Sequence, residues 1–394
     1  MSNRAELLGP GQEHDPYPAY AELRSTGPVV HLTLPDGLRC WLVTRYTDAR
    51  EALTDKRLSR DPRVAGPQWR QSHRGRRLED ESDLGAHLLT REAPDHTRLR
   101  KLIMSAFTVR RAEQLRDRIQ QIADELIDTF AADGKAELVG DYAYPLAITV
   151  ISEILDLPEA DRPTFREWTS NGIPGTTQPP SPGVYFADLV ERRRQAPGDD
   201  LMSELIAAAD ADRLSPQELL SMLFLLLIAG HEGTVGLVGQ AVLTLLGHPE
   251  QLELLHREPD RWDAAIEEVL RFDGPMELAA WRFTTTEVTI GDQLIPAGEP
   301  VLVGLAAAHR DPARFQSPDL FDIARPDLTH LGFGHGPHYC TGAPLGRVEG
   351  VVAVRTLFQR LPDLRLSVAP HQLIRQPSLV IRGMHELPVT FTPQ

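Results

Sequence analysis

The run Phe333-Gly334-His335-Gly336-Pro337-His338-Tyr339-Cys340-Thr341-Gly342 puts one of the chain's two cysteines on a glycine-rich loop, directly before an apolar helix beginning near Ala343. The unpaired N–H groups and positive dipole end of such a helix face back toward the sulfur, and His338 adds a positive neighbour. The spacing therefore predicts a thiolate, and a thiolate held in this way can ligate haem iron. Glycines at 334, 336 and 342 allow the backbone to take positive φ and to lie close to something flat. A second constellation is Ala229-Gly230-His231-Glu232-Gly233-Thr234, in the middle of an otherwise apolar run. A carboxylate there is costly to bury without a partner, a proton or a wet cavity, so Glu232 marks a polar pocket. Glycines 230, 233, 236 and 239 recur along the same run, and each costs about 1 kcal/mol relative to alanine in a helix. Either a flat cofactor approaches closely or a neighbouring helix packs through small residues.

These residues need a frame. Ser215-Pro216-Gln217-Glu218 is a capping box with proline at the first helical position, and the apolar pattern then continues to Gly247-His248-Pro249. That is about 31 residues, or roughly 46 Å, enough to cross the whole molecule as a central helix. Further helical periodicity covers Arg111 to Phe130, Pro145 to Leu155, Asp200 to Ala209 and Asp260 to Phe272. Short β-like runs gather toward the two ends, at Val29 to Leu34, Cys40 to Thr44, Val288 to Ile290, Val301 to Leu305 and His385 to Phe391. The expected fold class is mainly α with a smaller β-rich lobe, as one unit spanning residues 1–394. Its β-rich lobe draws on both chain ends, paired with each other, and its α-rich lobe on the middle. The segment from Gly172-Ile173-Pro174-Gly175 to Pro180-Ser181-Pro182-Gly183 has too many Pro and Gly residues for a helix.

Bulk composition removes several function classes. With 394 residues, 41% of them hydrophobic, the chain can bury a large core. Two distant cysteines, Cys40 and Cys340, make no disulfide framework, and Met1 to Tyr20 carries no signal-peptide pattern, so a reducing cytoplasm is the expected location. Leu219 to Ile228, the most apolar stretch, stops at Gly230-His231-Glu232, short of the roughly 18 residues a membrane span requires, and reads as a buried helix. A formal charge of −15 argues against nucleic acid as a partner. The basic clusters Arg74 to Arg77 and Arg192-Arg193-Arg194 read as solvated faces.

Phe333, Gly336, His338, Cys340 and Gly342 together fit a pattern that resembles the cysteine-ligand loop of the cytochrome P450 monooxygenases, and the similarity extends from Asp15-Pro16-Tyr17 to the final strands. The resemblance implies a triangular prism with a long central helix. It also implies haem b with Cys340 as axial ligand to the iron, and Phe333, Ala229 and Gly230 against the cofactor. His96, Arg100, Arg282 and His338 match the family's propionate partners. Glu268 and Arg271, with Arg325, match its structural Glu-x-x-Arg set. Residues 229–234 are similar to the oxygen-activation segment, with one departure: Gly233 stands where the family usually has an alcohol that helps deliver protons. Thr234, one residue on and about 100° round the helix, could serve only if the helix opens or rotates locally. Water or a substrate hydroxyl is the other replacement, with Glu232 as the retained acid.

By position in the family, Leu88, Leu89, Ala229, Met276, Glu277, Leu278, Ala279, Leu379 and Val380 line a mainly apolar substrate cavity, and residues 172–183 form its lid. The implied activity is insertion of one oxygen atom from O2 into a hydrophobic specialised metabolite such as a polyketide, macrolide or terpenoid. Electrons would come from NAD(P)H through a ferredoxin reductase and a ferredoxin docked on Lys101, Arg110 and Arg111, the enzyme acting as a monomer without membrane attachment. Two alternatives stay open at this level: an atypical oxidation such as C–C or C–O coupling, and a silent haem-thiolate recruitment module, for which Gly233 is the only argument.

Overall fold

The computed structural model describes residues 14–34, 37–72, 84–169, 181–376 and 378–394. Six helices bear on the site: α1 (Tyr17–Thr26), α2 (Asp95–Ile103), α3 (Tyr144–Leu155), α4 (Pro216–Leu246), α5 (Trp262–Asp273) and α6 (Ala343–Arg360). The capping box forms at the start of α4. Ser215 Oγ accepts from the Glu218 N–H at 3.1 Å, and the Glu218 carboxylate accepts from the Ser215 N–H at 2.9 Å. From there α4 runs 31 residues without a break. It is long and apolar enough to cross a membrane, but most of its surface is covered by the rest of the chain, as its all-round apolar sequence requires. Leu223, Leu227, Val238 and Val242 of α4 share one core with Ile148 and Ile151 of α3, Ile266 and Val269 of α5, and Val352 and Leu357 of α6.

The expected helix over Arg111 to Phe130 is in fact two, Val109–Gln114 and Arg116–Asp128. Leu115 lies between them at φ −84° and ψ −9°, and its N–H is shared between the Arg111 and Ala112 carbonyls. The other helices predicted from periodicity begin and end within about three residues of their expected limits.

The β part comprises β1 (Val29–Thr33), β2 (Arg39–Val43), β3 (Leu58–Ser59), β4 (Lys135–Glu137), β5 (Arg282–Thr284), β6 (Val288–Ile290), β7 (Gln293–Ile295), β8 (Pro300–Val303), β9 (Arg365–Leu366) and β10 (Pro388–Thr390). The main sheet has the order β1-β2-β8-β5-β3, with β2 parallel to β8 and the other neighbours antiparallel. Alternate residues fill opposite faces. Val43, Val301 and Val303 join one core cluster, while Cys40, Leu42 and Leu302 join another. The expected pairing of the two chain ends is corrected in part. The N-terminal strands do pair with 282–303, but the last strand, β10, pairs with β4 and β9 beside the helical core. The greater part of the loop read as a lid, 172–180, lies outside the described residues, as does the basic cluster Arg74 to Arg77.

Candidate active site

Cys340 sits on a loop whose shape its glycines permit. Gly334 and Gly336 both take φ +75°, and a Cβ on Gly336 would lie 2.7 Å from Thr54 Cγ2, so the loop lies flat on 53–54 only without a side chain there. The Cys340 N–H donates to the Phe333 carbonyl at 2.8 Å, which closes the loop, and α6 starts three residues after the sulfur. Phe333 itself packs under the Arg347 guanidinium, 4.5 Å from the ring centroid. Arg347 is fixed in turn by Glu267 at 2.7 Å and by the Tyr339 hydroxyl at 3.2 Å.

The electrostatics of the sulfur differ from the sequence expectation. Cys340 is solvent-accessible, yet enough protein surrounds it for desolvation to be its largest influence, so it faces a recess rather than open water. Burial pushes the thiol up. The amides of Gly342 and Ala343 and the charges of Arg100 and Arg347 pull it down and do not overcome burial. The loop alone therefore holds a thiol, and the thiolate requires a bound cation. His338 is no positive neighbour either: burial lowers its pKa despite the opposing pull of Glu92, 3.3 Å from Nε2.

Near the cysteine loop lie buried nitrogens that lack hydrogen-bond partners. His96 is buried with Nε2 unpartnered, and its ring centroid lies 4.2 Å from that of His338, whose Nδ1 is also unpartnered. Burial holds His96 down at about 4, so it is a neutral imidazole near pH 7. Arg282, 3% exposed, donates to the Leu58 and Leu53 carbonyls at 3.2 and 3.4 Å but leaves Nε unpartnered, and burial lowers it to about 10. Burial lowers Arg100 as well, and the Cys340 sulfur acts against that only when ionised. Buried nitrogens left without partners are rare, and Arg282 Nε, with His96 Nε2 in its Nε2–H tautomer, fits an anionic, acceptor-rich group such as the two propionates of haem; His338 Nδ1, its Nε2 proton directed at Glu92, joins them only when a bound anion favours the protonated ring. Among the described residues no group of three or more His, Cys, Asp or Glu side chains could hold a metal ion. An iron on Cys340 must therefore bring its other ligands with it, as a porphyrin does.

Helix α4 presents only part of its middle to open space. Ala229 is exposed between buried Ile228 and half-buried Gly230, and a Cβ on Gly233, one turn on, would meet nothing within 4 Å. Glu232 beside it is half-buried. The other glycines serve packing: added Cβ atoms would meet Ile151 at 2.5 Å from Gly230, Pro275 at 2.8 Å from Gly236 and Met384 at 3.0 Å from Gly239. The assignment of Gly230 to the cofactor is thus corrected, because its missing side chain makes room for α3. Thr234 is corrected too. The helix neither opens nor rotates, and the Thr234 hydroxyl donates to Glu349 Oε2 of α6 at 2.6 Å.

Among the residues expected to line the cavity, Leu278 is fully buried in the sheet core, Leu88 belongs to the helical core, and Glu277 accepts from Tyr20 at 2.7 Å away from any opening. Leu89, Met276, Ala279, Leu379 and Val380 are half-buried. The structural triad has the geometry its residue types imply. Glu268 and Arg271, both 0% exposed, pair through two bonds of 2.7 Å, and Arg325 reaches Glu268 at 3.2 Å. The spare N–H groups of Arg271 and Arg325 hold backbone carbonyls at 309 and 316–320, which fixes the approach to the Cys340 loop.

Two carboxylates went unread in the sequence. Glu349 is 1% exposed on α6, with Oε1 unpartnered, and burial raises it to about 8 against the opposing hydrogen bond from Thr234. Val348-Glu349-Gly350-Val351 carried the signal already used for Glu232, an acid inside an apolar helix. Glu92, which orients His338 and accepts from the Arg60 N–H at 2.6 Å, had no such signal.

Comparison with known proteins agrees with this geometry. A family model described as Cytochrome P450 matches residues 187–376. The chain is 45% identical over 392 residues to cytochrome P450 monooxygenase PikC of Streptomyces venezuelae, covering 97% of this chain and 92% of that one. To 6-deoxyerythronolide B hydroxylase of Saccharopolyspora erythraea it is 42% identical, covering 95% and 96%. Among solved structures, the tirandamycin C-bound P450 monooxygenase TamI superposes with a TM-score of 0.89 at 40% identity, covering 97% of this chain and 98% of that one.

Proposed function

The chain belongs to the cytochrome P450 family, and on that premise we propose that it is a haem-thiolate monooxygenase acting on a bulky, mainly apolar polyketide or macrolide. The observation that carries the cofactor assignment is the cluster of His96 and Arg282, each with a buried nitrogen that lacks a hydrogen-bond partner, beside Arg100, whose charge acts on the Cys340 sulfur. When bound, haem supplies the oxidant that places one atom of O2 in a C–H or C=C bond, the other leaving as water after uptake of two electrons and two protons. Cys340 holds the iron, His96, Arg100, Arg282 and His338 hold the propionates, and Phe333 fixes the loop from beneath.

Protons reach the site along α4. Glu232, half-buried beside Gly233, is the exchangeable acid, and the space left by the missing alcohol admits a water or a substrate hydroxyl. Thr234 acts by holding Glu349, which burial keeps protonated near pH 7 as a second proton store. Ala229, Leu89, Met276, Ala279, Leu379 and Val380 supply an apolar wall, and Glu268, Arg271 and Arg325 keep the cysteine loop in place. Electrons are assigned to a separate redox protein, as the family resemblance implies. Lys101, Arg110 and Arg111 are exposed, and none has an ion-pair partner among the described residues. Beside them Met104 and Val109 are 52% and 68% exposed. Basic side chains around an apolar centre suit an acidic ferredoxin.

Turnover with a surrogate ferredoxin and reductase, NADPH and isotopically heavy O2 against a panel of macrolactones and linear polyketides tests the reading. One heavy oxygen atom in a product is expected. Electron use that yields only peroxide or water with every substrate would favour the recruitment-module alternative.

A further inference from the structure

A buried charged cluster lies behind the cavity wall and belongs neither to the cofactor recess nor to the proton path. Arg382, 2% exposed, donates from Nε to Asp273 Oδ1 at 2.6 Å and from Nη2 to the His14 carbonyl at 2.8 Å. The Tyr17 hydroxyl of α1 donates to the same Asp273 oxygen at 2.5 Å. Glu277 Oε2 lies 3.9 Å from Arg382 Nη1, an atom with no hydrogen-bond partner. From α4, Gln240 donates to the Asp273 carbonyl at 3.3 Å and accepts from Arg375 at 2.6 Å. Burial works against the charge on Arg382, and Asp273, Tyr17 and Glu277 more than offset it, while Asp273 is held below the ordinary carboxylate range despite its own burial.

What this cluster touches gives it a role. Its backbone neighbours form the two segments that flank the open part of α4. The Arg382 N–H donates to the Pro275 carbonyl at 2.7 Å, the Glu277 N–H donates to the Val380 carbonyl at 2.8 Å, and Met276 bridges to Ile381. Both segments rest on α4 just past Gly233, one with Pro275 against Gly236 and the other with Met384 against Gly239. One guanidinium thus stands behind both walls next to the part of the helix that borders open space. Apolar residues could fill such a site without loss of stability, whereas a fixed set of charges enforces one spacing.

We propose that Arg382, with Asp273 and Glu277 as its counter-charges, is a positioning residue that sets the spacing of the 276–279 and 379–381 walls and so selects substrates by bulk. The proposal rests on the haem-cavity reading above. Its test uses the full-length haem-loaded protein titrated with two azoles that ligate haem iron, imidazole and 4-phenylimidazole, followed by the Soret shift. Imidazole reaches the iron without filling the cavity; 4-phenylimidazole must fit between the walls.

Arg382→Gln is expected to weaken 4-phenylimidazole about tenfold and imidazole by less than about twofold, and Arg382→Lys to recover most of that ratio. If Arg382→Gln does not fold, Glu277→Gln, which leaves the Arg382–Asp273 pair and the Tyr20 bond in place, should shift the ratio the same way by about threefold. Equal shifts for both azoles, or none, in a folded variant would overturn the proposal and leave the cluster a structural one. No azole response in the unsubstituted protein would overturn the haem reading itself, and this proposal with it.

Discussion

Glu349 shows most clearly how much one buried group can control. Its folded pKa of about 8 lies above the ordinary 4.5, so between those values the native state binds a proton that the unfolded chain has released. Stability from this group is complete below pH 4.5 and is lost as pH rises through about 8, at a slope approaching 1.4 kcal/mol per pH unit. Glu349→Gln cannot ionise and can still accept from Thr234. Urea unfolding from about pH 5 to about pH 8 should therefore show a flatter pH dependence for the variant, and an unchanged slope would contradict the buried-carboxyl account. The same rule, an acid inside an apolar helix, picked out Glu232 in the sequence and would have picked out Glu349. Thr234 was legible only as a type at a spacing. Which face it occupies depends on α6, which no local pattern reveals. Cys340 was legible as a candidate ligand, but the desolvation that raises its thiol depends on the assembled fold, which no local pattern reveals.

At the scale of elements, the four glycines of α4 separate into two jobs. Gly233 borders open space, so Gly233→Thr is sterically accommodated, and it should raise the fraction of electrons recovered in product rather than in peroxide. Such a rise would mean the missing alcohol limits proton delivery, whereas coupling that stays the same or falls would support the proposal that water or substrate already does its work. A Cβ on Gly230 would lie 2.5 Å from Ile151, and Gly230→Val should destabilise the fold by about 1–3 kcal/mol through overpacking, which thermal unfolding would register. The existence, cap and length of α4 were plain in the sequence, because proline at its first position, the capping box and an all-round apolar pattern point the same way. The choice between cofactor approach and helix packing was not, since the answer differs from one glycine to the next. Helix breaks such as that at Leu115, where the apolar period continues across the join, leave no sequence mark.

Across the whole molecule, contacts distant in sequence account for what the pattern could not supply. The parallel β2–β8 pair joins residues more than 250 apart, and Arg382 ties the carbonyl of His14 to the end of α5. The same long-range assembly brings His96 and Arg100 of α2, Arg282 of β5 and His338 of the cysteine loop around one recess, although each alone reads as an ordinary polar residue. That convergence is the central claim, since cofactor, thiolate and oxidation chemistry all depend on it. The measurement that tests it most directly is the visible spectrum of the reduced protein with carbon monoxide, taken alongside Cys340→Ala. A strongly red-shifted Soret band in the unsubstituted protein, lost in the variant, is the predicted result. A band typical of histidine-ligated haem, or no haem bound at all, would contradict the assignment of Cys340 and the activity proposed from it.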